Sequence, residues 1–201
     1  MSVLLVCGFH GTGKDHFYNS YSKCDRSHWM IFGLTPFNIK TDIKRLSHAD
    51  IMKTMCHEQY GLNSIVQSLS KDQPLPSGLN CIPNDIVTLR DLYIMYSSKF
   101  KEIDINYWCK QVNIDHSHHY VLTDFRFPHE YQYAIDNYHD MDLATLRVYR
   151  SQVVEPPANM DTEHNLDEFQ TTFLAVTSQC EFEIAVQRFP QYQNYTYQCS
   201  I

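Results

Sequence analysis

Three of the chain's six glycines, Gly8, Gly11 and Gly13, fall close together and run directly into Lys14. The stretch GFHGTGK fits the pattern G-x-x-x-x-G-K. In that pattern, glycines turn successive backbone amides inward on a phosphate, the helix that follows adds its positive end, and the lysine bridges the outer phosphates of a nucleoside triphosphate. An ordinary glycine turn is the plainer alternative, and a buried strand before the loop with a helix after it argues against that. Asp15 stands where Ser or Thr is expected, and two readings of it are open. A carboxylate beside a triphosphate repels it unless a cation lies between, so Asp15 acts through Mg²⁺ directly or through a water. Alternatively it caps the helix that begins here.

TDFRF (123–127) is the second stretch with chemistry in it. Open α/β sheets place their ligands at the carboxyl ends of the strands, so Asp124 and Arg126, just beyond the apolar run YVLT, are expected to face the same cleft as the glycine loop. An Asp there suits a metal-bound water or acts as a base. An Arg suits a phosphate, to which its fork donates two parallel hydrogen bonds. A surface salt bridge between the two is the competing account.

These residues need a frame. SVLLVC (2–7) has the pattern of a strand buried on both faces, and Phe17, Tyr18 and Tyr21 have the spacing of a helix over about 15–21. From about Trp29 to Val112 the pattern is mostly helical, with TDIKRLSHADIMKTMCHEQY and DIVTLRDLYIMYSSKF as its amphipathic pieces. Between them KDQPLPSGLNCIPN (71–84), with three prolines and a glycine, is a loop. Strands follow at 120–127, 143–150 and 171–176, with helices at about 129–137 and 180–189. Strands separated by helical stretches predict an α/β fold with a parallel sheet. The Tyr/Gln-rich residues 190–198 are expected to be frayed or packed on the surface.

At 201 residues and 43% apolar content, the chain is expected to form a single domain. A net charge of −7 gives no continuous basic surface, so no nucleic-acid polymer is expected as partner, although a few converging arginines suffice for one small phosphate ester. Seven scattered cysteines, never in CxxC spacing, predict reduced thiols and an intracellular, cytoplasmic protein. No basic leader precedes VLLVC, no stretch has membrane-spanning length, and no membrane partner is expected. HSHH (116–119), without a matching ligand cluster, is a solvated turn before a strand.

GFHGTGKD, FNIKTDI, TLRDLYIMYSSKFKEIDINYWCK, VLTDFRFPHEYQYA, LRVYR and DTEHNLDEF occur in the order, and at about the spacing, of the phage-type deoxynucleoside monophosphate kinase family, which the chain resembles over most of its length. Its sharpest pieces are the GKD loop and TDFRFPHE. That family is a branch of the P-loop nucleoside monophosphate kinases with Asp where others carry Ser or Thr, so Asp15 fits it. The resemblance implies the three-layer sandwich of P-loop NTPases, with a parallel sheet of about five strands flanked by helices. It also implies a helical acceptor-binding region over about 30–112 and a short lid over about 150–165.

The activity implied is transfer of the γ-phosphoryl of ATP to a deoxynucleoside 5′-monophosphate, with Mg²⁺; a homodimer is compatible with it. Carried onto this chain, Gly8, His10, Gly11, Thr12, Gly13, Lys14, Asp15 and His16 would bind ATP, with Asp15 and Asp124 toward the metal. Lys14, Asp15, Arg126 and Arg150 would serve catalysis, Arg150 at the start of the lid. Lys40, Arg90, Asp124, Arg126 and Glu163 would bind the acceptor.

Two departures stand out. His16 replaces the threonine that usually follows GKD, and YSSKFKE replaces a glycine-threonine-acid pattern near the acceptor, so base preference is not carried over. Phosphomevalonate kinase of the animal type shares the GKD loop and the strand ending in Asp and Arg. Its aliphatic acceptor needs no aromatic platform, whereas this chain offers Phe37, Tyr93, Tyr96, Tyr107 and Trp108; most of these are expected in the core, and the supply favours a base-binding reading. A non-catalytic ATP-binding module is a further alternative; a guanine-nucleotide switch is disfavoured by the lack of an NKxD-like motif.

Overall fold

The structure, a computed structural model, describes residues 1–23, 28–38, 40–76, 79, 82–83, 85–154 and 164–201. By internal contacts the chain divides into two units, Met1–Leu46 with Ile114–Ile201, and Ser47–Asn113.

The first unit holds strands β1 (Ser2–Cys7), β2 (Met30–Gly33), β3 (Ile43–Leu46), β4 (His119–Leu122), β5 (Asp142–Val148), β6 (Phe173–Val176) and β7 (Thr196–Ser200). They form one sheet in the order β3-β4-β1-β5-β6-β2-β7. The five strands from β3 to β6 in that order are mutually parallel, while β2 runs antiparallel to both its neighbours. The fold is therefore α/β, but its sheet is mixed and wider than the parallel sheet of about five strands expected.

Alternation along the strands supplies two apolar faces. Helix α1 (Lys14–Ser22) lays Phe17 and Tyr21 on one of them, against Leu4, Val6, Val121, Leu146 and Ala175. Phe32, Leu174 and Val176 face the other way, under Ala185, Phe189, Tyr192 and Tyr195. Helices α5 (Pro128–Asn137) and α6 (Gln179–Arg188) also belong to this unit. Helix on sheet on helix is the layering of a three-layer sandwich.

Two expectations are corrected here. Residues 190–198 are not frayed, and only part of the stretch lies at the surface. Tyr192 and Tyr195 are buried, β7 closes the edge of the sheet, and Trp29 and Ile201 exchange N–H···O bonds of 2.6 and 2.8 Å. Tyrosine supplies core area and a hydroxyl that finds partners, so a Tyr-rich stretch is not a polar one. The region after Trp29 is also not helical from its start, because β2 and β3 are strands. In TDIKRLSHADIM the change of period falls at Ser47, whose side chain accepts from the Asp50 amide at 3.1 Å and caps the helix that follows.

The second unit comprises α2 (His48–Tyr60), α3 (Leu89–Ile103) and α4 (Tyr107–Gln111). Helix α3 begins in a capping box between Thr88 and Asp91. Its core gathers Met52, Cys56, Leu62, Leu89, Leu92, Tyr93, Tyr96 and Trp108. Tyr93, Tyr96 and Trp108 are 8%, 2% and 4% exposed, and the Tyr93 hydroxyl lies 2.6 Å from His57 Nε2. They serve as core, and they are not an aromatic supply waiting for a base. No described helix is long and apolar enough to cross a membrane.

Candidate functional site

The glycine loop is wound as a phosphate-binding turn requires. Gly8, Gly11 and Gly13 take φ of 143°, 84° and 93°, conformations that side chains rarely adopt. Thr12 is buried and donates from both its hydroxyl (2.9 Å) and its amide (3.2 Å) to the Phe9 carbonyl, which ties the loop closed. Lys14 folds back, and its Nζ donates to the carbonyls of Gly8 (2.6 Å) and Phe9 (2.9 Å). The ammonium is thus held over the concavity it encloses. Gly13 is the N-cap of α1 and offers no side chain to its first-turn amides, which leaves an electropositive helix end at the loop. Gly13 holds the N-cap position, so Asp15 is not the cap, but in the first turn its carboxylate still meets the positive helix end.

Gly8 is the tightest point. A methyl group there would collide with the Val148 carbonyl oxygen and stand 2.8 Å from Thr12 Oγ1. Gly8→Ala is therefore expected to lower the unfolding free energy by about 2–4 kcal/mol, from backbone strain and overpacking together. Gly61, at φ 65° with nothing within 4 Å of an added Cβ, provides the control. Gly61→Ala is expected to cost about 1 kcal/mol, and equal losses in urea denaturation would contradict the crowding at Gly8.

Strands β4, β1 and β5 are adjacent and parallel, so their carboxyl ends share one edge of the sheet. That edge carries Asp124 and Arg126 after β4, the loop after β1, and Arg150 after β5. The Phe125 amide donates to the Val6 carbonyl at 3.2 Å, which draws the TDFRF turn alongside the loop. The turn is held from behind by Glu130, 8% exposed, whose Oε2 accepts from the amides of Arg126 (2.7 Å) and Phe127 (3.1 Å). No family model and no curated protein matches the chain.

On the β5 side a second buried carboxylate sets the backbone after Arg150. Glu181 accepts from the Ser151 amide (3.0 Å) and hydroxyl (3.2 Å), and from the Thr177 amide (2.9 Å) and hydroxyl. Burial pushes its pKa up, but these hydrogen bonds outweigh burial and leave it below the ordinary carboxylate value. Arg147, the earlier arginine of LRVYR, is buried in the core. It donates to the Tyr192 hydroxyl at 2.8 Å and to the carbonyls of Leu166 and Phe169, and lies over the Phe189 ring. It thereby pins the chain beyond the expected lid to β5.

Lys40 lies toward the opposite, amino edge of the sheet: its amide donates to the Tyr21 hydroxyl near the end of α1 (3.3 Å), and its charge is felt at His119, where β4 begins. His119 is held below its usual value by burial first, then by Lys40 and the N-terminal amine, against Asp42 and Asp142. The structure does not bring Lys40 to the loop. Arg90 belongs to the helical unit, where it forks onto Asp72 at 2.6 and 3.3 Å. Glu163 lies outside the described residues, as do residues 155–162 of the expected lid. His10 is exposed at the loop, and the His16 ring packs against His28 and Trp29, with centroids 5.2 and 5.9 Å away. In place of the threonine's hydroxyl, position 16 offers an aromatic contact behind the loop.

Arg45 escaped the sequence reading. From β3 it reaches Asp15, with Nε 3.0 Å and Nη2 2.9 Å from Oδ1. Reading IKRL as the end of a strand would have placed it at the carboxyl edge; its helical reading hid this. Among the described residues no group of three or more His, Cys, Asp or Glu converges on a metal position. Asp15 lies in the first turn of α1 and Asp124 follows β4, whose carboxyl end lies beside that of β1, and Mg²⁺ in phosphoryl-transfer sites commonly takes one or two carboxylates with the substrate phosphates supplying the rest.

Proposed function

We propose that the chain is a P-loop kinase that transfers the γ-phosphoryl of ATP to a deoxynucleoside 5′-monophosphate. The observation that carries this reading is Lys14 held over a left-handed glycine loop at the same sheet edge as Arg126. In the proposed reaction an oxygen of the acceptor's phosphate attacks the γ-phosphorus, the bond to the β–γ bridging oxygen breaks, and ADP leaves. Phosphoryl transfer asks a protein mainly for alignment and for positive charge around the equatorial oxygens. The amides of residues 8–15 would hold the β- and γ-phosphates, Lys14 would neutralise the moving group, and Arg126 would grip the acceptor's phosphate. Arg150 would approach from the β5 side. Asp15 and Asp124 would be the carboxylates for Mg²⁺ or its waters, and the ion, when bound, would supply positive charge to the phosphates. Lys40, by its place at the amino edge, is left out of this set.

A phosphomevalonate kinase-like activity is retained as the second reading. Tyr93, Tyr96 and Trp108 are spent on the helical core, which removes most of the aromatic supply that weighed against an aliphatic acceptor. An ADP-coupled assay with ATP and Mg²⁺ across the deoxy- and ribonucleoside monophosphates and phosphomevalonate separates the two. Turnover is expected with at least one deoxynucleotide, and turnover with phosphomevalonate alone would replace the first reading by the second.

A further inference from the structure

Asp15 poses a physical problem for any polyphosphate site. Its carboxylate sits in the first turn of α1, one residue from Lys14, where it cancels the lysine's charge just where a triphosphate is to be bound. Across from it stands Arg45, whose Nε and Nη2 both address a single carboxylate oxygen. The side chains of Arg45 and Asp15 are 31% and 71% exposed. An ion pair so exposed does little for folding. A charged side chain on edge strand β3 would also discourage edge pairing, but that role does not require it to leave the edge for α1.

We propose that Arg45 is a positioning residue of the phosphate site: it neutralises and orients Asp15 so that the GKD loop accepts the phosphates of a nucleoside triphosphate. Paired with Arg45, the Asp15 carboxylate has its charge met from β3; unpaired, it is left to repel the phosphates. The inference rests on the phosphate-loop reading and adds that the aspartate in place of Ser or Thr has a cationic partner on β3. It implies that the value of Arg45 is conditional on Asp15. An arginine that gripped phosphate directly would matter whatever residue stood at 15.

The test is a double-mutant cycle on the full chain, with ATP and inorganic tripolyphosphate binding measured by calorimetry without divalent cations, so that metal contacts at Asp15 do not enter. Arg45→Gln is expected to weaken binding of both ligands about tenfold, the order of one lost charge interaction near a protein surface. Arg45→Lys, which keeps the charge, should recover most of it. In the Asp15→Ser background, Arg45→Gln should change binding less than about twofold. Circular dichroism and thermal unfolding check that each variant is folded, and Arg45→Lys remains informative if Arg45→Gln is not. An equal loss in both backgrounds would overturn the proposal, as would Arg45→Gln binding like the unmodified chain while Lys14→Gln binds poorly. If Lys14→Gln itself binds normally, the phosphate-loop reading fails, which is a distinct result.

Discussion

Lys14→Ala is expected to abolish ATP-dependent phosphoryl transfer, lowering kcat/KM by about 10³-fold or more, while the protein stays folded. The reason is the position of the ammonium. Its hydrogen bonds to the carbonyls of Gly8 and Phe9 hold it over the loop, and in the proposed reaction a cation there would meet the charge that gathers on the γ-phosphoryl oxygens as the bond to ADP breaks. Those two bonds are local to the loop. The buried residues around it, Phe9, Thr12 and Phe17, keep their contacts when the side chain is cut back, so the unfolding free energy should move by no more than about 1 kcal/mol. Steady-state kinetics beside chemical denaturation separate the two effects. Near-normal turnover in a folded Lys14→Ala protein would sink the kinase mechanism.

Arg126→Ala is expected to act on the acceptor. Its backbone amide is fixed by Glu130, so removing the side chain leaves the TDFRF turn in place and takes away the guanidinium alone. Loss of a two-pronged charged contact to a phosphate predicts a rise in acceptor KM, or a fall in kcat, that lowers kcat/KM for the acceptor by about 10- to 100-fold, with ATP KM within about twofold. Arg126→Lys should fall between, because it keeps the charge and loses the fork. A selective loss of ATP affinity would place Arg126 on the wrong substrate.

The parts of this site that could be read from the sequence are those whose local pattern agrees with their place in the fold. SVLLVC is apolar on both faces because β1 is central, between β4 and β5, and the glycines after it have no plausible use except a tight turn. The helix that follows the loop is likewise a local fact. What could not be read depends on neighbours distant in sequence. IKRL is four residues on a sheet edge, too short for a period of 2 to stand out against the helical run after Ser47, and with it Arg45 was lost. Glu130 and Glu181 look like ordinary helix acids, yet each is buried to hold the backbone beside a candidate site residue. Two arginines share LRVYR with identical local credentials, and only the packing shows that Arg147 belongs to the core. The aromatic residues of the helical region follow the same rule: large apolar side chains at helical spacing were core before they were a binding platform.

The most direct test of the central claim follows the phosphoryl group itself. The protein is incubated with γ-labelled ATP, Mg²⁺ and each deoxynucleoside monophosphate in turn, and the products are separated and identified. Label is expected in a deoxynucleoside diphosphate, with one ADP formed for each, and none with the Lys14→Ala protein. Label that stays in ATP, or passes only to water, with every deoxynucleotide offered would contradict the account.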